Sequence, residues 1–401
     1  MLQRREGMRP CLISVDNGNI IPLMKYRRFD NIGMEVSALG FGCMRLPTRG
    51  DDPKIDEPLA IEMIRYAIDN GVNYIDTAYP YHSGNSEKLL GKALKDGYRA
   101  KVNLTTKMPI WLVEKRDDFD RFFNEQLKRL EVNSLDFYLL HNVKKEWWSK
   151  LRKLGILEWA EKTMARGRFK YFGFSFHDTY EVFKEIIDSY DGWTICQIQY
   201  NYMNEDTQAG TRGLEYAAGK GLSVVIMEPL LGGNIVKPPR KVQKIFDSAS
   251  KSRTPADWAL QWLWNKPEVS LVLSGMSNMQ QVRENVESAC RSGIATLAQD
   301  ELDVIARVQE EYRGFYPIPC TKCGYCMPCP NGVDIPRNFD LYNDGIAFNH
   351  FPLNKNIYLA VFPEDIRASE CVQCKECEEH CPQNIQISEW MPRVHQKLSS
   401  G

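Results

Sequence analysis

From about residue 38 to residue 276, short apolar runs alternate with longer amphipathic stretches. The runs read as strands: "LGFGC" (39–43), "VNYID" (72–76), "VNLTTK" (102–107), "DFYLLH" (136–141), "KYFGFS" (170–175), "TICQIQ" (194–199), "LSVVIM" (222–227) and "VSLVLSG" (269–275). Each gap has room for the crossover helix that parallel neighbours require. Asn70-Gly71, Arg166-Gly167 and Lys220-Gly221 lead straight into strands, and glycine can take the left-handed conformation that closes a helix. Eight strand–helix units in roughly 250 residues predict a closed (β/α)8 barrel. A doubly wound open sheet is the alternative, but no Gly-x-Gly-x-x-Gly turn follows the first strand.

At 401 residues the chain is long for one domain, and two domains are expected. The pattern predicts an N-terminal tail over 1–23, the barrel over 24–315, and a small, mainly helical domain over 316–395. Net charge is −1 and apolar content 43%, ordinary for a globular protein with a large core. Lysine and arginine are scattered rather than striped, which argues against nucleic acid as a partner. No apolar run approaches the ~20 residues of a membrane span. The N-terminal stretch has neither the apolar core nor the small-residue cleavage site of a signal peptide. A cytoplasmic protein is expected.

If the fold is a barrel, its chemistry belongs at the C-terminal ends of the strands. Asp76 ends one strand, with Tyr81 five residues on; Lys107 ends the next and His141 the one after. Singly, each has a bland reading, as a helix cap, a packing residue or a solvated end. Together they bring an acid, a phenol, an amine and an imidazole to one mouth. Carbonyl reduction needs hydride at carbon and a proton at the developing alkoxide. A phenol with a pKa of about 10 is too weak an acid unless its anion is stabilised. Lys107 would do that, Asp76 would keep Lys107 charged, and His141 would orient the carbonyl oxygen.

With these residues in place, the chain resembles the aldo/keto reductase family over about 24–310. The carriers are "GFGCMRLP", "GVNYIDTAYPYHSGNSEKLLGKAL", "TTK", "LDFYLLH", "GFSFH", "QIQYN", "MEPLLGG" and "SGMSNMQQVREN". The resemblance implies a (β/α)8 barrel that binds NADP(H) or NAD(H) without a Rossmann domain. It also implies a catalytic tetrad on Asp76, Tyr81, Lys107 and His141, and a small-molecule carbonyl or alcohol as substrate. Its cofactor contacts carry over to Gly42, Cys43, Met44, Asp76, Ser175, Gln197, Met227, Gly275, Ser277, Gln281 and Asn285. Three departures stand out. Phe176 replaces the asparagine that helps hold the nicotinamide amide, and Met227 replaces the tyrosine shelf beneath the ring. Near the adenosine end, Gly275 and Gln281 stand where basic residues flank a 2′-phosphate, leaving Arg283, so no bidentate phosphate clamp is visible.

Twelve cysteines are unevenly placed: Cys11, Cys43, Cys196 and Cys290 are isolated, and eight fall between 320 and 381. A disulfide framework does not suit a large cytoplasmic chain. Two motifs appear, Cys320-x₂-Cys323-x₂-Cys326-x₂-Cys329-Pro330 and Cys371-x₂-Cys374-x₂-Cys377-x₃-Cys381-Pro382. The second has the bacterial ferredoxin spacing, in which the cysteine before proline ligates the other cluster. Two [4Fe-4S] clusters are therefore expected, one on Cys320, Cys323, Cys326 and Cys381, the other on Cys329, Cys371, Cys374 and Cys377. Structural zinc is the alternative, although triple Cys-x₂-Cys-x₂-Cys runs do not match a zinc ribbon. "IPRNFDLYNDGIAF" and "SEWMPRVHQKL" read as helices, and the module resembles an α-helical ferredoxin. Aldo/keto reductases with such a module form a recognisable group that this chain resembles.

A nicotinamide moves two electrons as hydride, whereas a cluster moves one, and bridging them normally takes a flavin. Flavin is a possible cofactor for which no motif is visible. Three function classes remain open: a reductase whose clusters exchange electrons with an external one-electron carrier, a reductase with structural or sensing clusters, and a non-enzymatic electron-transfer, redox-sensing or binding module on a reused barrel. Trp111, Trp147, Trp148, Tyr202 and His177 are expected near the mouth.

Overall fold

All eight apolar runs are strands, and they close on one another in chain order. The computed structural model describes residues 14–16, 19–21, 23–49, 52–320, 322, 324–381 and 383–400. The strands are β1 (Leu39–Gly42), β2 (Tyr74–Asp76), β3 (Asn103–Met108), β4 (Leu135–Val143), β5 (Phe169–Phe176), β6 (Ile195–Gln199), β7 (Ser223–Met227) and β8 (Val269–Gly275). They form a closed barrel in which β8 returns to β1, and every neighbouring pair is parallel. Gly71, Gly167 and Gly221 have φ of 95°, 68° and 82°, the left-handed turns that end one helix and release the next strand. At Gly173 a Cβ would lie 2.2 Å from the Ile195 carbonyl oxygen, so the approach of β5 to β6 requires glycine.

One end of the barrel is plugged. The antiparallel hairpin Tyr26–Phe29 and Met34–Ser37 sends Phe29 and Val36 among Tyr74, Phe137, Leu139, Ile195, Val225 and Leu271. Tyr74 and Ile195 open their strands, so this apolar cluster seals the N-terminal end. The polar residues of the interior are left to the other end. Much of the segment read as a tail (1–13, 17, 18 and 22) lies outside the described residues. Within it, Ser14–Asp16 pairs antiparallel with Asn19–Ile21.

The chain divides into two compact units, the first resuming at Ala256–Ala298 after Gly232, the second comprising Gly233–Pro255 and Gln299–Gly401. The second unit contains the helices Gln299–Arg313, Ile335–Ala347, Phe351–Ala360 and Ile387–Ser399. Asp334 caps the second of these by accepting from the Arg337 amide at 3.2 Å, with Pro336 in its first turn, a favoured helix start. Its core is Ile335, Phe339, Tyr358, Ile387, Met391, Val394 and Leu398, with six of the clustered cysteines packed at its margin. Among the described residues, no helix is long and apolar enough to cross a membrane.

Candidate functional site

Asp76 is the last residue of β2, Lys107 lies near the end of β3, and both are 1% exposed or less. Parallel strands carry them to the same end of the barrel, two residues apart in register, because Asp76 pairs with Thr105. Tyr81 follows on a tight turn in which His82 and Ser83 take φ of 50° and 55°. The Leu46 amide donates to His82 Nε2 at 3.1 Å, pinning that turn. Left-handed backbone outside glycine is strained, and such residues gather at functional sites. Asn142, Gln208, Glu228 and Leu231 share this conformation, all beyond or near strand C-terminal ends.

Lys107 Nζ donates to Asp76 Oδ1, to the Thr77 carbonyl at 3.0 Å and to the Tyr81 hydroxyl at 3.3 Å. An ammonium has three donors, and all three are used. Burial pulls the lysine's pKa down, but Asp76 and then Tyr81 more than offset it, and the net shift is upward. The proton therefore stays on Lys107. Burial raises the Tyr81 phenol, with Lys107 opposing and Asp76 reinforcing the rise, so this hydroxyl is protonated at neutral pH. The His141 ring lies 5.8 Å from Tyr81, edge to face, and 5.2 Å from Trp111. Burial, then Lys107 and His177, hold its pKa well below the ordinary range. His141 is thus neutral, and its Nδ1 is buried without a partner among the described residues. The four residues form one constellation.

Around them, Ser175 and Gln197 are register partners on β5 and β6. The Asn142 amide donates to Ser175 Oγ at 2.8 Å, leaving the serine O–H free to donate elsewhere. Gln197 Nε2 donates to Asp76 Oδ2 at 2.7 Å, while Gln197 Oε1 and Asn142 Oδ1 are buried and unpaired among the described residues. Met227 packs on the interior cluster of the barrel. Gly42 pairs with both Asp76 and Gly275, so these three sit at one level. Cys43 is fully buried while Met44 is 59% exposed. Ser277 and Gln281 are tied to each other, the serine amide donating to Gln281 Oε1 at 2.8 Å. Asn285 donates to Ser274 Oγ at 3.1 Å.

Of the aromatic residues expected at the mouth, Trp111 sits there. Trp148 is buried and packs 5.8 Å from Trp193, and Tyr202 is buried 6.3 Å from Trp262; both are core. His177 Nδ1 lies 3.1 Å from Gln208 Oε1. Three mouth residues escaped the sequence reading: Asn142, Gln208 and Arg45. Arg45 lies along Gly275, where a Cβ would be 3.3 Å from its own Cβ. The local signal for Arg45 was its place directly after Cys43 and Met44.

The clustered cysteines line two cavities. One is walled by Cys329, Cys371, Cys374 and Cys377. The other is walled by Cys320, Cys326 and Cys381. Cys323 and Pro382 lie outside the described residues. Ile335 and Ile387 line both cavities, so the two share an apolar wall. Among the described residues, no three His, Cys, Asp or Glu side chains gather closely enough for a single ion; the thiols line the cavity walls instead. Each wall thus offers thiols and apolar groups, the donor set that iron–sulfur clusters use.

The aldo/keto reductase family model matches residues 38–308, and that of the 4Fe-4S dicluster domain matches 319–385. Among curated proteins, a probable aldo-keto reductase 1 of Glycine max is 28% identical over 295 residues, 63% of this chain and 81% of that one. L-galactose dehydrogenase of Arabidopsis thaliana is 25% identical over 314 residues, 72% of this chain and 95% of its own. Among solved structures, an aldo-keto reductase from Klebsiella pneumoniae in complex with NADPH has a TM-score of 0.60 at 24% identity, covering 72% of this chain and 95% of that one. The holo form of one from Bacillus halodurans has a TM-score of 0.58 at 24% identity, covering 71% and 96%.

Proposed function

The chain belongs to the aldo/keto reductase family, and on that premise we propose that its barrel interconverts a small-molecule carbonyl and its alcohol, with Tyr81 as the acid in reduction. One observation carries the reading: the buried Lys107 ammonium spends its three donors on Asp76, Thr77 and Tyr81. That arrangement has little structural purpose at a strand end, and it is what a phenol needs in order to release its proton. When bound, NADP(H) or NAD(H) supplies or receives the hydride. The unpaired Gln197 Oε1 and Asn142 Oδ1, with the free hydroxyl hydrogen of Ser175, fit a carboxamide, which brings N–H donors and one carbonyl acceptor.

In reduction, Tyr81 gives the proton of its hydroxyl oxygen to the oxygen of the developing alkoxide. Lys107, hydrogen-bonded to that tyrosine oxygen, stabilises the phenolate left behind. Asp76 keeps Lys107 charged in a site that burial would otherwise discharge. His141, being neutral, offers the carbonyl oxygen a hydrogen bond without competing for the proton that Tyr81 delivers. Trp111 closes one side against water.

The C-terminal thiols would hold two [4Fe-4S] clusters, which supply one-electron carriers. We assign Cys320, Cys323, Cys326 and Cys381 to one, and Cys329, Cys371, Cys374 and Cys377 to the other. Support comes from Cys381 lining the cavity of Cys320 and Cys326, and Cys329 lining that of the second motif. An external one-electron carrier and a cytoplasmic location complete the reading, the latter from clustered thiols that need reducing conditions.

The test is oxidation of the bound dihydronicotinamide by a panel of aldehydes and ketones, hydroxylated ones included because one relative is a sugar dehydrogenase by name. Tyr81→Phe should lower the single-turnover rate by about 10²–10⁴-fold while leaving cofactor binding nearly intact. A variant that keeps most of its rate would refute the assignment. Anaerobic addition of reduced cofactor, followed at the cluster absorbance, tells whether the barrel and the clusters exchange electrons.

A further inference from the structure

Beneath the tetrad lies a second tier of polar side chains that proton delivery to the carbonyl does not use. Tyr74 and Asp76 project from the same face of β2, as Thr105 and Lys107 do from β3, because strand side chains alternate. Tyr74, Thr105 and Gln197 are all fully buried, the Tyr74 hydroxyl faces the side chains of Thr105 and Gln197, and Gln197 Oε1 has no partner among the described residues. Buried polar atoms are nearly always paired, so an open acceptor on a side chain bonded to this carboxylate calls for an explanation. Gln197 is the member that reaches upward. It donates to Asp76 Oδ2, while Lys107 holds Oδ1, so the two oxygens of one carboxylate are shared between the tetrad and a residue beside the nicotinamide site.

We propose that Gln197 is a positioning residue that couples occupancy of the nicotinamide site to the proton on Tyr81, acting through Asp76 and Lys107. The proposal rests on the reading of Tyr81 as the acid. A carboxamide N–H donated to Gln197 Oε1 polarises the side-chain amide and strengthens its N–H bond to Asp76, since linked hydrogen bonds reinforce one another. Asp76 then holds its charge more firmly, Lys107 stays an ammonium, and the Tyr81 phenolate is better stabilised. Cofactor binding should therefore make Tyr81 more acidic. The other titratable groups facing Asp76, Lys107 and Tyr81 are Cys43, Tyr74, His141 and His177. Burial keeps the first two protonated and the imidazoles neutral through the range in which Tyr81 ionises.

Linkage makes this measurable: if cofactor lowers the pKa of Tyr81, cofactor affinity must rise as pH passes through that ionisation. The experiment titrates reduced NADP and NAD by nicotinamide fluorescence across pH in the parent, Gln197→Leu, Gln197→Met and Tyr81→Phe, alongside single-turnover rates. The parent should bind severalfold more tightly on the alkaline side, and Tyr81→Phe should bind with no such dependence. Both Gln197 variants should lose the dependence, bind about tenfold more weakly, and show the alkaline limb of the rate profile moved up by about one pH unit. Uniformly weaker binding with an unmoved limb would make Gln197 a simple cofactor contact and overturn the coupling. A parent whose affinity does not vary with pH overturns it without any variant, should both substitutions fail to fold. If instead Tyr81→Phe keeps its rate, the acid assignment itself fails, an outcome separate from either.

Discussion

At His141 the fold opposes a charge that the free side chain would readily accept. Its pKa is held well below the usual range by burial, then by Lys107 and His177, whereas in the unfolded chain it returns to about 6.5. Below that value the unfolded chain binds a proton that the folded state refuses, so acidification favours unfolding; above it, His141 adds nothing to the slope. His141→Gln should therefore lose less stability than the parent between about pH 7.5 and pH 5.5, as read from urea midpoints. His177, also lowered by burial, keeps part of the slope in both proteins. An equal loss in parent and variant would remove His141 as a contributor. A strand-end histidine in "FYLLH" was legible as a candidate. Its neutrality was not, because Trp111, Lys107 and His177 arrive from other segments of the chain.

The strands show where periodicity stops being informative. β4 continues past His141 to Val143, with an irregular register between Leu140 and Val143 and Asn142 at φ 58°. Nothing in the apolar pattern announces that bend, yet it aligns the Asn142 amide with Ser175 Oγ. Gly173 is a second case. In "FGFSF" it looks like a weak point in a strand, and only the close approach of the Ile195 carbonyl, 2.2 Å from where a Cβ would stand, explains it. Gly173→Ala should force β5 from β6 and destabilise the barrel by roughly 1–3 kcal/mol, measured by urea denaturation. Ser175 and Gln197 pair two residues further along, so cofactor affinity should fall as well. Unchanged stability and affinity would mean that the strands accommodate the methyl group by a small shift.

For the whole molecule, the cysteine motifs predict a test of interlocking. Protein purified without air should hold about eight irons with matching sulfide; zinc with no sulfide would refute the clusters. Cys381→Ser should damage the cluster shared with Cys320 and Cys326, whose cavity it lines, rather than the one nearest in sequence. Metal-binding free energy in a small domain is folding free energy, so the second unit should loosen while the barrel unit keeps its own unfolding transition and its cofactor affinity. Electron paramagnetic resonance and calorimetry on the same sample distinguish these outcomes; selective loss of the cluster on Cys371, Cys374 and Cys377 would reverse the assignment. By itself the sequence determined what repeats and what is spaced: eight apolar runs, glycine stops, strand-end polar residues and two cysteine motifs, because local backbone preferences and burial periodicity act over a few residues. Only the tertiary structure decided the left-handed turns at the mouth, the three partners of Lys107, the neutral state of His141 and the Gln197–Asp76 bond. These depend on groups from separate segments of the chain meeting away from water, where distance and desolvation, rather than position in the chain, set the energy.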